Sequence, residues 1–321
     1  MLEIIQQPIA AELERYTALF RQHLHSDNPL LAAALAHLTR KLGKMMRPTL
    51  VLLCAREGGE INDAVMHAAA GLEMLHTASL VHDDVVDESD MRRGQRSVNA
   101  LFDNKAAVLM GDFITSTALK AIALTHSLEA VERIAWLGQT LADGELLQLN
   151  NTQLTTFSEE AYYEVISKKT AALFATCARL GARLGGADEA TTERLERFGH
   201  LTGLCFQMRD DLFDLDETLN VGKPKGNDLT EGKLTLPVLH VLDGADAYIR
   251  RLALKVRTHE ASRLEMQELV DYILTHGGVP YAEGEMLRIR HEAVALLADL
   301  RDRDVAEALT RYIDYVVNRK V

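Results

Sequence analysis

Apolar residues recur along this chain at three- and four-residue spacing, as in AALFATCARLGARL from Ala171 and EALTRYIDYVV from Glu307. That is the period at which one face of an α-helix returns. Strand-like alternation with hairpin turns such as Asn-Gly does not persist anywhere. Breaker segments punctuate the helical pattern: SDNP at 26–29, EGGEIND at 57–63, RRGQRS at 92–97, NNTQLTTFS at 150–158, GGADEA at 185–190 and THGGVP at 275–280. Ser158 followed by Glu159 and Glu160 predicts a helix start, with anions against the positive end of the dipole. The spacing leaves room for about ten helices of ordinary length. One polar stretch, from Asp216 to about Lys233, cannot be helical throughout, and a long loop in a tight bundle points to function. No segment has the character of a domain linker, so residues 1–321 read as a single domain.

Composition narrows the class. The 321 residues are 47% hydrophobic and 26% charged, with only 20 Gly and 6 Pro. This supports a sizeable core and excludes disordered and collagen-like architectures. Aromatics are 5%, and the Ala and Leu that dominate instead suit helix-on-helix packing. Forty-seven acidic against 35 basic residues give a net charge of −12, which argues against a nucleic-acid partner. Cys54, Cys177 and Cys205 are scattered, and they indicate neither a disulfide framework nor a zinc site. The N-terminal MLEIIQQPIAAELERY is too acidic and interrupted for a signal peptide. No apolar run approaches the roughly 18–20 residues of a membrane span. The expectation is a soluble protein of the cytoplasm with no transmembrane segment.

Two acidic clusters carry the chemistry. HDDVVDES contains Asp83, Asp84 and Asp87, and RDDLFDLD contains Asp210, Asp211 and Asp214. Both read DDxxD, and each ends an apolar helical run. The first and last aspartates of each sit one turn apart on one helix face, where uncompensated carboxylates repel. One such cluster is usually a solvated acidic face. Two identical ones after strongly apolar stretches fit a clamp in which Mg²⁺ bridges carboxylates to a diphosphate. With no His or Cys inside the clusters, other metals are disfavoured.

Cations for a phosphate lie nearby in sequence. Arg92 and Arg93 follow the first cluster, with Gly94 suited to a turn. Lys44 and Arg47 precede a helix whose first turn Pro48 suits. Lys223, Lys225 and Lys233 follow the second. His76 lies seven residues before Asp83, about 20° off its face, and Ser79 lies one turn before it. Below Ser79 that helix is apolar and small (Ala78, Leu75, Leu72, Gly71). The stripe therefore runs from charged to greasy, as a substrate with a diphosphate head and hydrocarbon tail requires. On the second helix, Gln207 lies one turn before Asp211.

At these residues the chain resembles the trans-isoprenyl diphosphate synthases, specifically the long-chain polyprenyl branch. The matching segments are GKMMRP, EMLHTASLVHDDVVDESDMRRGQRS, LMGDF, GELLQ, YYEVISKKTAALF, GLCFQMRDDLFDLD, GKPKGNDLTEGKLTLP and YVVNRK. The resemblance implies an all-α isoprenoid synthase fold, a single-domain bundle of ten or more helices around a central cavity, and a homodimer. It implies two or three Mg²⁺ per active site, held by Asp83 and Asp87 with Asp84 in support, and by Asp210 with Asp211 and Asp214 less directly. Arg92 would contact the allylic diphosphate, and Lys44, Arg47, His76 and Arg93 would bind isopentenyl diphosphate. Lys169, Thr170 and Gln207 would line the allylic site near the developing cation, with Lys223 and Lys233 adding charge. The family pattern Gly-Gly-Lys-Arg-x-Arg-Pro is broken here by Leu42 and Met45, which leaves it one cation short while Lys44 and Arg47 still match.

The same resemblance makes product length a question of volume. Shorter-chain relatives place bulky aromatics four or five residues before the first motif, where this chain has Ala78 and Ser79. Ile122 and Ile134 are then the candidates for a deeper floor. The implied product is heptaprenyl to decaprenyl, octaprenyl-type, for quinone side chains, released with help from an exposed apolar patch at a membrane surface. The alternatives are a shorter-chain farnesyl or geranylgeranyl synthase, a terpene cyclase and a non-catalytic subunit. A cyclase needs (N/D)Dxx(S/T)xxxE, and NDLTEGKLT from Asn227 places Glu231 and Thr235 at the diagnostic positions instead. Non-catalytic subunits typically lose aspartates, and all six are present.

Overall fold

The computed structural model describes residues 2–40, 43–92, 94–152, 155–215 and 227–319. Helices account for nearly all regular structure among them, and each breaker segment falls at a helix boundary. The chain opens with α1 (Leu2–Gln6), a 3-10 turn and α2 (Ala10–His23). Asn28 caps α3 (Pro29–Thr39) by accepting from the amides of Leu30 and Leu31, with Pro29 where no amide donor is required. Pro48 lies in the first turn of α4 (Met46–Gly58). Asn62 caps α5 (Asp63–Val86) by accepting from the Val65 amide.

Between α5 and α6 (Val98–Phe102) the chain departs from the all-helical expectation. Strands β1 (Met91–Arg92) and β2 (Gln95–Arg96) pair antiparallel, Met91 with Arg96 and Arg92 with Gln95. Two residues per strand are too few for alternation to register in a sequence. The turn was legible, since Gly94 takes φ +70°, which costs glycine little.

Helix α7 (Asn104–Ala123) follows. It is 20 residues long and, by length and composition only, apolar enough to cross a membrane, a test that a core helix packed inside a protein also passes. It packs along α5 and buries Ala107, Met110, Gly111, Ile114, Ala118, Ala121 and Ile122. After it come α8 (Leu128–Asn151), α9 (Glu159–Ile166), one widened π turn (Ser167–Ala171), α10 (Ala172–Leu184) and α11 (Glu189–Leu215). Ser158 caps α9 as expected, accepting from the Ala161 amide. The rest is α12 (Asn227–Thr230), α13 (Leu236–Asp243), α14 (Ala247–Arg257), α15 (Arg263–Thr275), α16 (Gly278–Ala295) and α17 (Arg303–Asn318).

The chain forms two compact units. The first comprises Met1–Gly138, Phe174–Gly199 and Leu297–Arg311. Its central helix is α4, in which Leu50 through Ala55 are fully buried. Gly181 of α10 and Gly185 just past its end, four residues on, bring this helix against α4. A Cβ at either would lie 2.3 Å from a carbonyl oxygen of α4, Val51 or Ala55, so only glycine permits this spacing. Glu57, buried at the end of α4, accepts from the amides of Arg301 and Asp302 and ties down the start of α17.

The second unit comprises Gln139–Leu173, His200–Leu296 and Tyr312–Val321. Helix α13 packs on α16, where a Cβ at Gly278 would lie 2.5 Å from the Pro237 carbonyl oxygen. Tyr281 donates to Glu159 at 2.8 Å, and Arg290 pairs with Asp314 at 2.7 Å. The DDxxD motif from Asp83 belongs to the first unit and that from Asp210 to the second.

Candidate active site

Both motifs sit at the C-terminal ends of their helices. Asp83 and Asp84 lie in the last turn of α5 and Asp87 is its C-cap, while Asp210, Asp211 and Asp214 occupy the last turns of α11. A helix C-terminus carries partial negative charge and disfavours anions. Three carboxylates there make a strongly negative spot whose natural complement is a cation.

In the first unit, Asp84 is buried at 2% exposure while Asp87 is exposed. Asp84 accepts from Arg92 Nε at 2.6 Å, and its backbone carbonyl accepts from Asn99 Nδ2 at 3.1 Å and the Ser89 amide at 2.9 Å. Ser97 Oγ donates to the Ser89 carbonyl at 2.6 Å. The hairpin is thus fastened to the end of α5, and Arg92 is aligned by the motif it follows. Both Arg92 and Asp84 line an open cleft of about 840 Å³ with Tyr16, Phe20, Leu24 and Val81.

The other predicted residues of this unit are less closely gathered. Lys44 is exposed, and Arg47 is half-buried with its guanidinium 5.3 Å from the Phe174 ring centre. His76 is half-buried on α5, and its carbonyl accepts from Ser79 Oγ at 3.0 Å. Ala78, Ile122 and Ile134 are buried. Ile122 of α7 lies directly against Gly71, two turns below Ala78, where a Cβ would come within 2.7 Å of it. Met45 takes φ 51° at the N-cap of α4, a left-handed conformation that strains a non-glycine residue. Arg93, Leu42, Lys223 and Lys225 lie outside the described residues.

In the second unit a hydrogen-bond chain joins α9, the π turn and α11. Tyr162 OH donates to Asp211 Oδ2 at 2.6 Å, and Gln207 Nε2 donates to Asp211 Oδ1 at 2.8 Å. Thr170 Oγ1 donates to Gln207 Oε1 at 2.7 Å. The π turn rotates the chain less per residue than an α-helix does, and this returns Thr170 to the face of Tyr162. Gln207 and Asp211 share a face as an i, i+4 pair. Gly144 of α8 lets this turn come close, since a Cβ there would lie 2.9 Å from the Lys169 amide nitrogen. Lys169 pairs with Glu145 at 2.6 Å.

The rest of the second motif is engaged as well. Arg319 donates to Asp210 Oδ1 at 2.6 Å and to the Phe206 carbonyl at 3.0 Å, with its guanidinium 3.9 Å from the Phe206 ring centre. The Asp228 amide donates to Asp214 Oδ2 at 3.0 Å, and Lys233 pairs with Glu231. Burial pushes the Asp211 carboxyl up to about 6. The Tyr162 and Gln207 donors pull against that rise, and neighbouring Asp210 and Asp214 add to it. Burial, then Asp211 and Asp214, raise Asp228 well above the ordinary carboxylate range. Lys169, Gln207, Asp211, Asp228 and Lys233 line a cleft of about 1020 Å³.

Sequence reasoning missed Tyr162, Asp228 and Arg319 as participants. Each lies in a segment already singled out (YYEVISKKTAALF, GKPKGNDLTEGKLTLP, YVVNRK), but only the tertiary fold brings it to the aspartates. Among the described residues no three His, Cys, Asp or Glu side chains are gathered closely enough to hold a metal ion alone.

Comparison with known proteins agrees with the motifs. The polyprenyl synthetase family model matches residues 28–273. The octaprenyl diphosphate synthase of Haemophilus influenzae is 34% identical over 309 residues, covering 96% of this chain and 94% of that protein. The crystal structure of a Caulobacter crescentus CB15 polyprenyl synthase, complexed with calcium and isoprenyl diphosphate, superposes with a TM-score of 0.94 at 31% identity, covering 100% of this chain and 98% of that one. A geranylgeranyl pyrophosphate synthase from Bacteroides thetaiotaomicron is 42% identical with a TM-score of 0.87, covering 99% of both chains. The chain belongs to the polyprenyl synthetase family. It is a prenyl-transferring enzyme with the isoprenyl synthase fold.

Proposed function

We propose that this enzyme condenses an allylic prenyl diphosphate with successive isopentenyl diphosphates, in trans, to a polyprenyl diphosphate of heptaprenyl to decaprenyl length. The product is octaprenyl-type and serves quinone side chains in the cytoplasm. The observation that carries this reading is the pair of DDxxD motifs, each at the negative end of a helix and each with its middle aspartate held by an internal partner. Asp83, Asp87 and Asp210 hold Mg²⁺, supported by Asp84, Asp211 and Asp214. The donors fit the ion: all are carboxylate oxygens, and Mg²⁺ takes one or two carboxylates and completes its shell with water and substrate phosphate. When bound, Mg²⁺ supplies charge stabilisation for the departing diphosphate.

The protein's own groups do the rest. Arg92, aligned by Asp84, contacts the allylic diphosphate, and Lys223 and Lys233 add charge to it. Lys44, Arg47, His76 and Arg93 bind isopentenyl diphosphate. Lys169, Thr170 and Gln207 place their dipoles toward the allylic carbon as it becomes cationic, which is electrostatic stabilisation prepared in advance. Apolar side chains around the reacting carbon keep out the water that would quench the cation.

Ala78 and Ser79 leave room for a growing tail, with Ile122 and Ile134 closing the pocket deeper. Ala78→Phe is expected to shorten the product, and Ile122→Ala to lengthen it. Mg²⁺-dependent incorporation of labelled isopentenyl diphosphate by the purified chain, followed by reverse-phase analysis of the dephosphorylated product, tests activity and length together. An unchanged product from Ala78→Phe sinks the pocket assignment. The 42% identity to the Bacteroides enzyme favours a geranylgeranyl-length product as the second reading, and a twenty-carbon chain in that assay would establish it.

We further infer a homodimer. Val108, Leu109 and Leu119 of α7, its C-cap Leu124 and Leu128 at the start of α8 are exposed, and exposed apolar side chains of this kind suit burial against a second copy of the chain. Light scattering on a sizing column reads the mass. A monomer that sediments with anionic vesicles would assign the face to a membrane instead.

A further inference from the structure

Asp211 belongs to a metal motif by its letters, yet both of its oxygens accept from side chains of the same unit. Tyr162 supplies one donor and Gln207 the other. Tyr162 is itself buried, at 8% exposure, and its phenol has a single proton, so the direction of that bond is fixed. A carboxylate can only accept, so it orients the Gln207 carboxamide with its NH₂ inward and its oxygen toward Thr170. Thr170 must then donate to that oxygen, as it does at 2.7 Å. Tyr162, Asp211, Gln207 and Thr170 form one chain of oriented dipoles, and the lone pairs left at its end belong to the Gln207 and Thr170 oxygens.

We propose that Tyr162 is a positioning residue for prenyl transfer: through Asp211 it fixes the Gln207 amide and the Thr170 hydroxyl with their oxygens set to stabilise the allylic cation. This rests on the reading that Thr170 and Gln207 line the allylic site. Fixed electronegative oxygens lower the barrier to ionisation because they need no reorientation as charge develops, whereas a freely rotating amide presents its positive end as often as its negative one. Tyr162 acts on kcat and not on diphosphate binding, since its bonds run to Asp211 and on to Gln207 and Thr170, whereas Arg92 pairs with Asp84.

The test is Tyr162→Phe in the full-length enzyme, which removes the donor and keeps the ring. We expect kcat to fall about tenfold, the upper scale of one lost net hydrogen bond. KM for both diphosphates and the Mg²⁺ activation midpoint should stay within about twofold. A fluorinated allylic diphosphate, whose cation is less stable, should lose more rate in the variant than the natural substrate does. A merely structural loss would slow both equally. Tyr162→Phe combined with Gln207→Ala should be no slower than Gln207→Ala alone. 4-Aminophenylalanine at position 162 keeps a weaker donor and should fall between wild type and Phe. That variant serves alone if Tyr162→Phe does not fold, and a wild-type kcat from it overturns the proposal. So do equal fluorine sensitivity in wild type and variant, or effects of Tyr162→Phe and Gln207→Ala that multiply. If Thr170→Val and Gln207→Ala themselves leave kcat unchanged, the site assignment fails and takes this proposal with it. If they lower kcat while Tyr162→Phe does not, only the positioning role fails.

Discussion

The two aspartate motifs share one pattern of letters and one position at a helix end, yet the fold neutralises them by different means. In the first, the buried middle carboxylate, Asp84, meets a full positive charge, Arg92, delivered by a two-residue hairpin. In the second, the buried middle carboxylate, Asp211, meets the neutral donors of Tyr162 and Gln207, and the cation from the tail, Arg319, goes to the more exposed Asp210. An ion pair cancels charge, whereas neutral donors only spread it. In the second motif burial pushes Asp211 up to about 6, the Tyr162 and Gln207 donors offset only part of that rise, and neighbouring Asp210 and Asp214 add to it. Identical motifs need not hold identical electrostatics.

Removing a charge from the first motif should produce the largest effect. Arg92→Ala leaves the Asp84 side chain, 3% exposed, without this guanidinium. Breaking a buried pair from one side costs about 3 kcal/mol, because the remaining charge is stranded. Urea unfolding of the metal-free protein reads it. A loss below about 1 kcal/mol would place the pair among ordinary surface bridges and erase the contrast with the second motif.

The second effect is a pH dependence that belongs to the second motif. The folded Asp211 binds its proton more tightly than the unfolded chain does, so the stability it contributes is complete below about pH 4. It is lost as pH rises through about 6. Each tenfold gain in proton affinity is worth about 1.4 kcal/mol, which gives a total on the order of 2–3 kcal/mol. Asp211→Asn keeps the volume and removes the titration. With chelator present, its unfolding free energy should lack this fall between about pH 4.5 and 7. Parallel profiles for the variant and the wild type would show that Asp211 ionises as freely as an exposed carboxylate.

Much of this was legible in the sequence, and the remainder was hidden for physical reasons. Helix boundaries could be read because caps and breakers act locally: Asn28, Asn62 and Ser158 each bind amides two or three residues on. The motifs could be read because repelling carboxylates at fixed helical spacing have few structural uses. What could not be read was which aspartate of each motif turns inward. Tyr162 stands 49 positions from Asp211 and Arg319 stands 109 from Asp210, and only the fold brings them together. The hairpin was missed because two-residue strands owe their pairing to Gly94 and to the anchoring of Arg92 on Asp84, not to any pattern of their own. In α7 the charged residues Lys105, Asp112 and Lys120 interrupt the apolar run, so its length as one apolar helix shows only in the fold.

The smallest effect should come from the tail, and it is the one that separates scaffold from metal site within the second motif. The Arg319 side chain is 9% exposed and lies against Phe206, while Asp210 is 42% exposed. Its hydrogen bond to Asp210 is charge-assisted but half in water. Arg319→Gln should therefore lower stability by only about 1 kcal/mol, less at about 0.5 M salt, where screening reaches the exposed partner. Arg319→Lys should recover little of it, because an ammonium reproduces neither the stacking nor the second bond to the Phe206 carbonyl. The informative reading is the Mg²⁺ titration at fixed substrate. If Asp210 is a metal ligand, Arg319 competes for its charge, and removing it should shift the midpoint to lower Mg²⁺ by about two- to threefold, a coupling of roughly half a kcal/mol. The same titration on Tyr162→Phe should not move, because Asp211 is already committed to its own donors. A midpoint that shifts for Tyr162→Phe and stays fixed for Arg319→Gln would exchange the two roles, making Asp211 the ligand and Asp210 the anchor of the tail.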